Sequence, residues 1–233
     1  MSYFDHFADS AGTPVGNWIK RRSRQRVSNI IETFLDDPEC AILEIGPGWG
    51  ELAECFRKAG YRNYTVVEPN ERMRNHLAGK GYVTKDYLIP DLAEADNAYD
   101  VIILVDVFEH LNDAREAKTF IAEARRVLRP NGLLCILSPD YLHWKEDFFN
   151  SDFSHSNVTS VRRTLQLLHN SGFRTLKYVY FSGFLTGMLA TLVSHLVRLG
   201  LFFLSGNAID NKLYKLKLTF LRQFLLIGVN QGA

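Results

Sequence analysis

The stretch that decides the fold is LEIGPGWGEL, which runs Leu43-Glu44-Ile45-Gly46-Pro47-Gly48-Trp49-Gly50-Glu51-Leu52. The apolar run at 41–45 predicts a buried strand, and the amphipathic stretch at 51–58 predicts a helix. A glycine-rich turn between a strand and a helix lets a ligand approach backbone N–H groups closely. The stretch therefore predicts a ligand-binding turn in an α/β protein.

The spacing of the glycines argues against two common phosphate-binding motifs. The dinucleotide-binding fingerprint would place its third glycine at position 51, where this chain has Glu51. No Gly-Lys-Ser/Thr follows the turn, so a Walker-type phosphate loop is also excluded. Glu44 carries a negative charge just before the turn, which disfavours a pyrophosphate and suits a cationic ligand.

Short apolar runs and helical patterns alternate regularly on both sides of this turn. Such alternation predicts a parallel sheet with right-handed crossovers, in which ligands bind beyond the carboxyl ends of the strands. The clearest helix is at 113–129, ended by Pro130-Asn131-Gly132. The further predicted strands cover 64–68, 82–85, 100–105, 133–137, 174–181 and 222–229, and a further helix covers 158–171.

In order over about residues 40–140, these motifs resemble those of the class I S-adenosylmethionine-dependent methyltransferases. The resemblance rests on the turn at 43–52, on Glu68, on Asp86, on DVIILVDVFEHL at 100–111 and on RVLRPNG at 126–132. It implies a Rossmann-like fold, with a seven-stranded, mostly parallel sheet and helices on both faces. The last strand would run antiparallel, after an apolar helical insert at about 183–218.

The resemblance also implies which residues contact S-adenosylmethionine and its product S-adenosylhomocysteine. Glu68 would bind the ribose hydroxyls, and Asp86 would approach the adenine amino group with Tyr87 packed nearby. Glu44 would engage the ammonium group. The implied cofactor-binding set is Glu44, Gly46, Gly48, Gly50, Glu68, Asp86, Tyr87, Val105 and Asp106.

Methyl transfer often requires removal of a proton from the acceptor. His110 follows the fourth strand, and His155 lies in the polar loop after the fifth, so both are candidate bases. Asp152 is a candidate to orient His155. A structural role for either histidine stays open. A metal site of Asp106, Glu109, Asp152 and His155 has no recognised ligand spacing, so we predict no metal.

The chain begins with a segment, residues 1–36, that we predict to be a cap on the methyltransferase domain at 37–233. Tyr3, Phe4, Phe7 and Trp18 are candidates to fold over the cofactor, and Arg22 or Arg26 to reach its carboxylate. The alternative is that the basic run at 20–26 is a solvated helix face.

The apolar segment at 184–204 contains no acid and one base, Arg198. Its length permits a membrane span. However, a single crossing would prevent the chain from returning to complete the sheet. Four interpretations stay open: a lid over an apolar acceptor, a homodimer contact, a peripheral membrane anchor, and core.

The composition and the start of the chain predict a protein of the cytoplasm, and the apolar segment leaves a peripheral membrane contact open. The formal net charge is +1, which argues against a nucleic-acid substrate. Three distant cysteines and an N-terminus without an apolar signal core predict neither disulfides nor secretion. The polar loop and the apolar insert resemble those of bacterial methyltransferases that modify saccharides or lipid-linked intermediates. This resemblance implies methyl transfer to an oxygen of a small-molecule or glycan acceptor, and a lipid-linked acceptor stays open. The alternatives are a quinone-like aromatic acceptor and a non-catalytic cofactor-binding regulator.

Overall fold

The computed structural model describes residues 13–201 and 212–232. Within these ranges the helices are α1 (Pro14–Glu32), α2 (Glu51–Lys58), α3 (Glu71–Gly79), α4 (Ala114–Val127), α5 (Tyr141–Trp144), α6 (Glu146–Asn150), α7 (Val161–Asn170), α8 (Gly187–Gly200) and α9 (Lys212–Phe220). The strands are β1 (Ile42–Ile45), β2 (Tyr64–Val67), β3 (Val83–Lys85), β4 (Tyr99–Val105), β5 (Leu128–Pro139), β6 (Phe173–Ser182), β7 (Leu185–Thr186) and β8 (Gln223–Asn230). The predicted caps Tyr3, Phe4 and Phe7 lie outside the described residues.

All these strands join one sheet in the order β3-β2-β1-β4-β5-β8-β6-β7. Strands β1 to β5 pair in parallel, and β8 runs antiparallel between β5 and β6. The predicted Rossmann-like fold, with its antiparallel last strand and helical insert, is therefore confirmed. The sheet has eight strands instead of the seven predicted. The extra strand is the two-residue β7, which turns back onto β6 after Gly183, whose φ is +57°.

The segment Pro130-Asn131-Gly132 lies within a strand and does not separate a helix from one. Helix α4 ends at Val127, and β5 begins at Leu128. The pairing of β5 with β4 then shifts register between Tyr99 and Val101. A bulge of this kind takes up extra residues without ending the strand, which is why β5 starts earlier than predicted.

Helices cover both faces of the sheet. On one face α4 and α7 pack on inward-pointing side chains of β4, β5 and β8. On the other face, side chains of α1 and α2, among them Phe56, cover Ile42, Val66 and Ile103 of the strands. The strands are apolar on both faces because neither face meets water. This arrangement leaves the carboxyl ends of β1, β2 and β4 at one edge, next to the glycine-rich turn.

The insert between β6 and β8 contains β7, α8 and α9. Residues 202–211, between α8 and α9, lie outside the described ranges. Among the described residues, no helix is long and apolar enough to cross a membrane. Helix α8 packs against α5, where Nδ1 of His143 lies 3.2 Å from the Ser194 hydroxyl. Its opposite side exposes Met188, Leu189, Leu192, Leu196 and Leu199.

Candidate cofactor and acceptor site

The three glycines of the turn all have positive φ, between +57° and +82°. A Cβ atom on Gly46 would lie 2.4 Å from Cγ2 of Val107, and one on Gly50 would lie 2.5 Å from Cδ2 of Leu77. At Gly48 a Cβ atom would meet nothing within 4 Å. The turn is thus packed at both ends and open in its middle, which is the shape expected of a cradle for a ligand.

Glu68 joins this turn to the end of β2. Its buried carboxylate accepts hydrogen bonds from the backbone N–H of Gly48 at 3.1 Å and of Asn70 at 2.9 Å. Burial raises the pKa of Glu68, and the two N–H groups oppose that rise. The carboxylate is therefore held at the open middle of the turn, where it fits the predicted role of binding ribose hydroxyls.

Glu44 lies beneath the turn and is almost completely buried. The hydroxyl of Tyr64 donates to its carboxylate at 2.9 Å. Burial raises the pKa of Glu44 to about 7, and the negative charges of Glu51 and Glu68 add to the rise. A nearby cation would therefore stabilise the ionised carboxylate of Glu44, in line with the predicted cationic ligand. In the structure its hydrogen-bond partner is Tyr64.

Asp86 and Tyr87 follow β3 at the same edge of the sheet. The Asp86 carboxylate is exposed and pairs with Arg74 at 3.0 Å. Tyr87 is half-buried, and its hydroxyl donates to Glu94 at 3.0 Å. Tyr87 is therefore fixed in place, whereas Asp86 remains accessible to a ligand. Their contacts with the adenine group stay predictions.

Val105 ends β4, and Asp106 follows it with a φ of +56°. The backbone N–H of Asp106 donates to the carbonyl of Leu137 at 3.0 Å. Its carboxylate accepts hydrogen bonds from Arg24 at 2.7 Å and from Gln223 at 2.6 Å. Asp106 therefore connects the end of β4 to α1 and to β8.

Arg24 is the arginine of α1 that reaches the site, whereas Arg22 and Arg26 are exposed. Arg22 lies over the ring of Trp18 at 5.6 Å. Helix α1 buries Ile19, Ser23, Val27 and Ile31, and Arg24 lies beside that stripe. Contact of Arg22 or Arg26 with the carboxylate of the cofactor stays a prediction. Trp18 packs edge-on against Phe184 of the insert. The four-residue spacing of the buried stripe is the signal that could have identified Arg24.

The two candidate bases lie together, with ring centroids 4.9 Å apart. Nδ1 of His155 lies 2.6 Å from the carbonyl oxygen of Phe148. A carbonyl only accepts, so Nδ1 carries the proton and the neutral ring keeps its lone pair on Nε2. His155 is therefore in the tautomer required of a base that acts through Nε2.

Asp152 lies next to both histidines: its backbone carbonyl accepts a hydrogen bond from the backbone N–H of His155 at 3.3 Å, and its carboxylate connects to His110 through Ser154. Orientation of the His155 ring by Asp152 stays a prediction. The hydroxyl of Ser154 donates to Asp152 at 2.8 Å and lies 2.5 Å from Nδ1 of His110. The loop folds so that His155 turns inward to Phe148, which leaves Ser154 between Asp152 and His110. Burial lowers the pKa of His110, and the neighbouring His155 lowers it further.

Glu109 completes this cluster. Its buried carboxylate accepts a hydrogen bond from the Ser138 hydroxyl at 2.8 Å, and burial raises its pKa well above the usual range. Glu109, His110 and His155 each present one ligand atom within 4.8 Å of the others. This grouping differs from the set of ligand types considered in the sequence, because it includes His110 and leaves out Asp106 and Asp152. The absence of a metal stays a prediction.

Comparison with known proteins gives the family. A family model described as a methyltransferase domain matches residues 18–178, more than half of the chain. A ubiquinone biosynthesis O-methyltransferase of Mesorhizobium japonicum is 32% identical over 119 residues, which are 46% of this chain and 47% of that protein. A tuberculostearic acid methyltransferase of Mycobacterium tuberculosis is 27% identical over 138 residues, which are 56% of this chain and 32% of that protein. The chain spans less than half the length of these relatives.

Solved structures share the fold. A methyltransferase of Haloferax volcanii, solved with the Trm112 methyltransferase activator, aligns over 100% of this chain and 99% of its own, with a TM-score of 0.71 and 13% identity. A SAM-dependent methyltransferase of Archaeoglobus fulgidus aligns over 98% of this chain and 100% of its own, with a TM-score of 0.66 and 18% identity. With the family model and the glycine-rich turn, these matches establish that the chain belongs to the class I S-adenosylmethionine-dependent methyltransferase family.

Proposed function

We propose that this chain transfers a methyl group from S-adenosylmethionine to an oxygen of a small-molecule or glycan acceptor that is linked to a lipid. The observation that carries the proposal is the meeting of two groups of residues at one edge of the sheet. The open glycine turn with Glu68 lies at the ends of β1 and β2. The His110–His155 pair belongs to the loops that follow β4 and β5.

The residues at the turn fit the cofactor in chemistry and in space. When bound, S-adenosylmethionine supplies a methyl group activated by its sulfonium. Glu68 would accept hydrogen bonds from the ribose hydroxyls, and the open space at Gly48 would admit the methionine portion. Arg24 would bind the carboxylate of the cofactor, since a guanidinium carries five N–H donors and the bond to Asp106 uses Nη2. Glu44 offers negative charge to the ammonium group.

The acceptor hydroxyl loses its proton to a histidine of the pair. His155 is the better candidate because its Nδ1 proton is committed to the Phe148 carbonyl, which leaves Nε2 to accept. His110 is held through Ser154 and Asp152, and burial, which lowers its pKa, favours the neutral imidazole. Neutral imidazole is the form that can accept a proton.

The acceptor side of the site is apolar on its surface. Phe153, next to the Ser154–His155 pair, is 93% exposed, and Phe149 and Leu142 of the same region are also exposed. Exposed apolar side chains of this size indicate contact with an apolar partner, which supports an acceptor with a lipid portion. A quinone-like aromatic acceptor is the second candidate, favoured by the similarity to ubiquinone biosynthesis O-methyltransferases.

The insert, including part of the 184–204 segment, provides a peripheral membrane contact. Met188, Leu192, Leu196 and Leu199 recur at helical spacing and face solvent. The described parts of the insert contain no acid, while Arg198, Lys212 and Lys215 supply positive charge. An apolar face flanked by bases matches an anionic lipid surface better than a second copy of the same positive face.

Flotation with vesicles tests the membrane contact. We expect the protein to float with vesicles of phosphatidylcholine and phosphatidylglycerol, and less with phosphatidylcholine alone. The double variant Leu192→Asn/Leu196→Asn should lose flotation. Val83→Asn, which removes an equally exposed apolar side chain from β3, should keep it. If the double variant still floats but changes a dimer to a monomer in sedimentation, the face is a homodimer contact.

Transfer of labelled methyl tests the catalytic proposal. We would incubate the protein with methyl-tritiated S-adenosylmethionine and a panel of glycans, lipid-linked saccharides and quinols, then count the acceptors after extraction. His155→Ala and His110→Ala should each reduce turnover while leaving cofactor affinity unchanged. Full turnover in both variants would show that neither is the base. Tight cofactor binding with no transfer across the panel would favour a non-catalytic regulator.

A further inference from the structure

Helix α9 belongs to the insert, yet it places a charge in the protein interior. The Lys217 side chain is 2% exposed, and its Nζ lies 2.6 Å from the carboxylate of Asp147 on α6. The Asp147 side chain is 5% exposed. Two charges withdrawn from water hold each other strongly, because separating them leaves an uncompensated buried charge. The pair therefore fixes α6 against α9.

A second set of contacts reinforces this joint. The Tyr214 hydroxyl of α9 donates to Oδ1 of Asp147 at 3.1 Å. It also accepts from Nδ2 of Asn150, at the end of α6, at 3.2 Å. Both Asp147 and Asn150 of this five-residue helix are thus tied to α9, so α6 cannot shift without breaking several bonds at once.

Helix α6 in turn holds His155. Phe148 follows Asp147 directly, and its carbonyl accepts the Nδ1 proton of His155 at 2.6 Å. The Phe148 ring is fully buried, with its centroid 4.8 Å from that of His155. A continuous set of contacts therefore runs from Lys217 to Asp147, along the backbone to Phe148, and to the imidazole beside His110.

We propose that Lys217 is a positioning residue for His155. Through Asp147 it fixes α6 so that the Phe148 carbonyl selects the Nδ1-protonated tautomer and leaves Nε2 facing the acceptor side. The insert is thereby part of the active-site framework. A partner that binds the insert and moves α9 would also change the position of His155. The catalytic meaning of this arrangement rests on the proposed function of His155, whereas the control of its tautomer does not.

Nitrogen-15 NMR of the histidine side chains tests the proposal without an acceptor. The His155 resonances are assigned by comparison with His155→Gln. In the unaltered protein we expect the Nδ1-protonated tautomer alone. In Lys217→Met, which keeps the length of the side chain but removes its charge, we expect that selectivity to be lost and a mixture of both tautomers to form. The matched control is Lys215→Met, an exposed lysine of the same helix, which should leave the spectrum unchanged.

Two further variants keep the test decisive. If Lys217→Met does not fold by circular dichroism, Asp147→Asn/Lys217→Met leaves no unpaired buried charge and should show the same tautomer mixture. Lys217→Arg, which retains the charge, should restore the Nδ1-protonated form in part. A folded variant without the ion pair whose His155 keeps a single Nδ1-protonated tautomer would overturn the proposal. Calorimetry with S-adenosylmethionine should give equal affinity in all variants, and loss of binding in every protein would instead count against the proposed function.

Discussion

Arg24 of α1 donates a 2.7 Å hydrogen bond to the carboxylate of Asp106, the residue that follows β4. The guanidinium is mostly buried, and Gln223 of β8 occupies the other oxygen of the carboxylate. One ion pair thus brings the first described helix, the fourth strand and the last strand to one point. Lys20 adds a second link, from α1 to Glu51 at the start of α2.

Replacing Arg24 tests whether this helix contributes to cofactor binding. Arg24→Met should weaken the affinity for S-adenosylmethionine by about 10-fold or more, since a hydrogen bond to a charged group contributes about 1.5–3 kcal/mol. Arg26→Met, an exposed arginine on the same helix, is the matched control and should change little. Equal affinities in calorimetric titrations of both variants would remove Arg24 from the site.

Glu44 should link cofactor binding to pH. Burial raises its pKa to about 7, so about half of the free protein carries a proton there at pH 7. A bound ammonium group favours the carboxylate, so binding should release a proton and affinity should rise as the pH rises through 7. Titrations in two buffers with different ionisation enthalpies measure this release.

Glu44→Gln should abolish the proton release. Glu51→Gln is the control: although burial alone would raise the pKa of Glu51, Lys20 lowers it below its usual value, so Glu51 does not titrate near pH 7. Proton release that persists in Glu44→Gln would assign it to another group.

The glycines of the turn should separate stability from binding. Gly46→Ala combines a φ of +69° with a contact of 2.4 Å to Val107, and should lower the free energy of unfolding by about 2–3 kcal/mol. Gly48→Ala has only the cost of its positive φ, about 1–2 kcal/mol, but places a methyl group in the open cradle. It should lose more cofactor affinity than stability. Urea titrations measure the loss of stability in each variant, and calorimetry measures the loss of cofactor affinity. If Gly46→Ala loses more of both than Gly48→Ala, the open cradle at Gly48 is contradicted.

His143 should make the protein sensitive to acid. Burial, with Arg222 nearby, lowers its pKa to about 4, so between about pH 6.5 and 4 the unfolded chain binds a proton that the folded protein does not. The unfolding free energy should therefore fall as the pH falls through this range, by up to about 3 kcal/mol from this group. His143→Gln should flatten that part of the profile. His169→Gln, an exposed histidine on α7, should not.

The sequence predicts the part of the site that is local. Residues 41–58 form a strand, a turn and a helix whose chemistry is contained in consecutive residues. The bond from Arg24 to Asp106 was not predicted, because the choice between Arg22, Arg24 and Arg26 depends on how α1 rotates against the sheet. That rotation is set by packing on β1, β2 and their neighbours, far away in sequence.

Distant contacts explain the other differences. The Ser154 hydroxyl donates to Asp152 and also lies 2.5 Å from Nδ1 of His110, which is 44 residues earlier in the chain. The partnership of Lys217 with Asp147 joins segments that no spacing rule connects. Pro130-Asn131-Gly132 carries the usual signals of a break, yet pairing with β4 holds it inside β5. In each case tertiary contacts outweigh a local preference.

The most direct test of the account is calorimetric titration of Glu68→Ala beside the unaltered protein. The account predicts that the unaltered protein binds S-adenosylmethionine and S-adenosylhomocysteine but not NAD. Glu68→Ala should lose this affinity, while Glu71→Ala, an exposed acid at the start of α3, should retain it. Binding of NAD alone, or equal affinity for S-adenosylmethionine with and without Glu68, would contradict the assignment of this turn as the cofactor site.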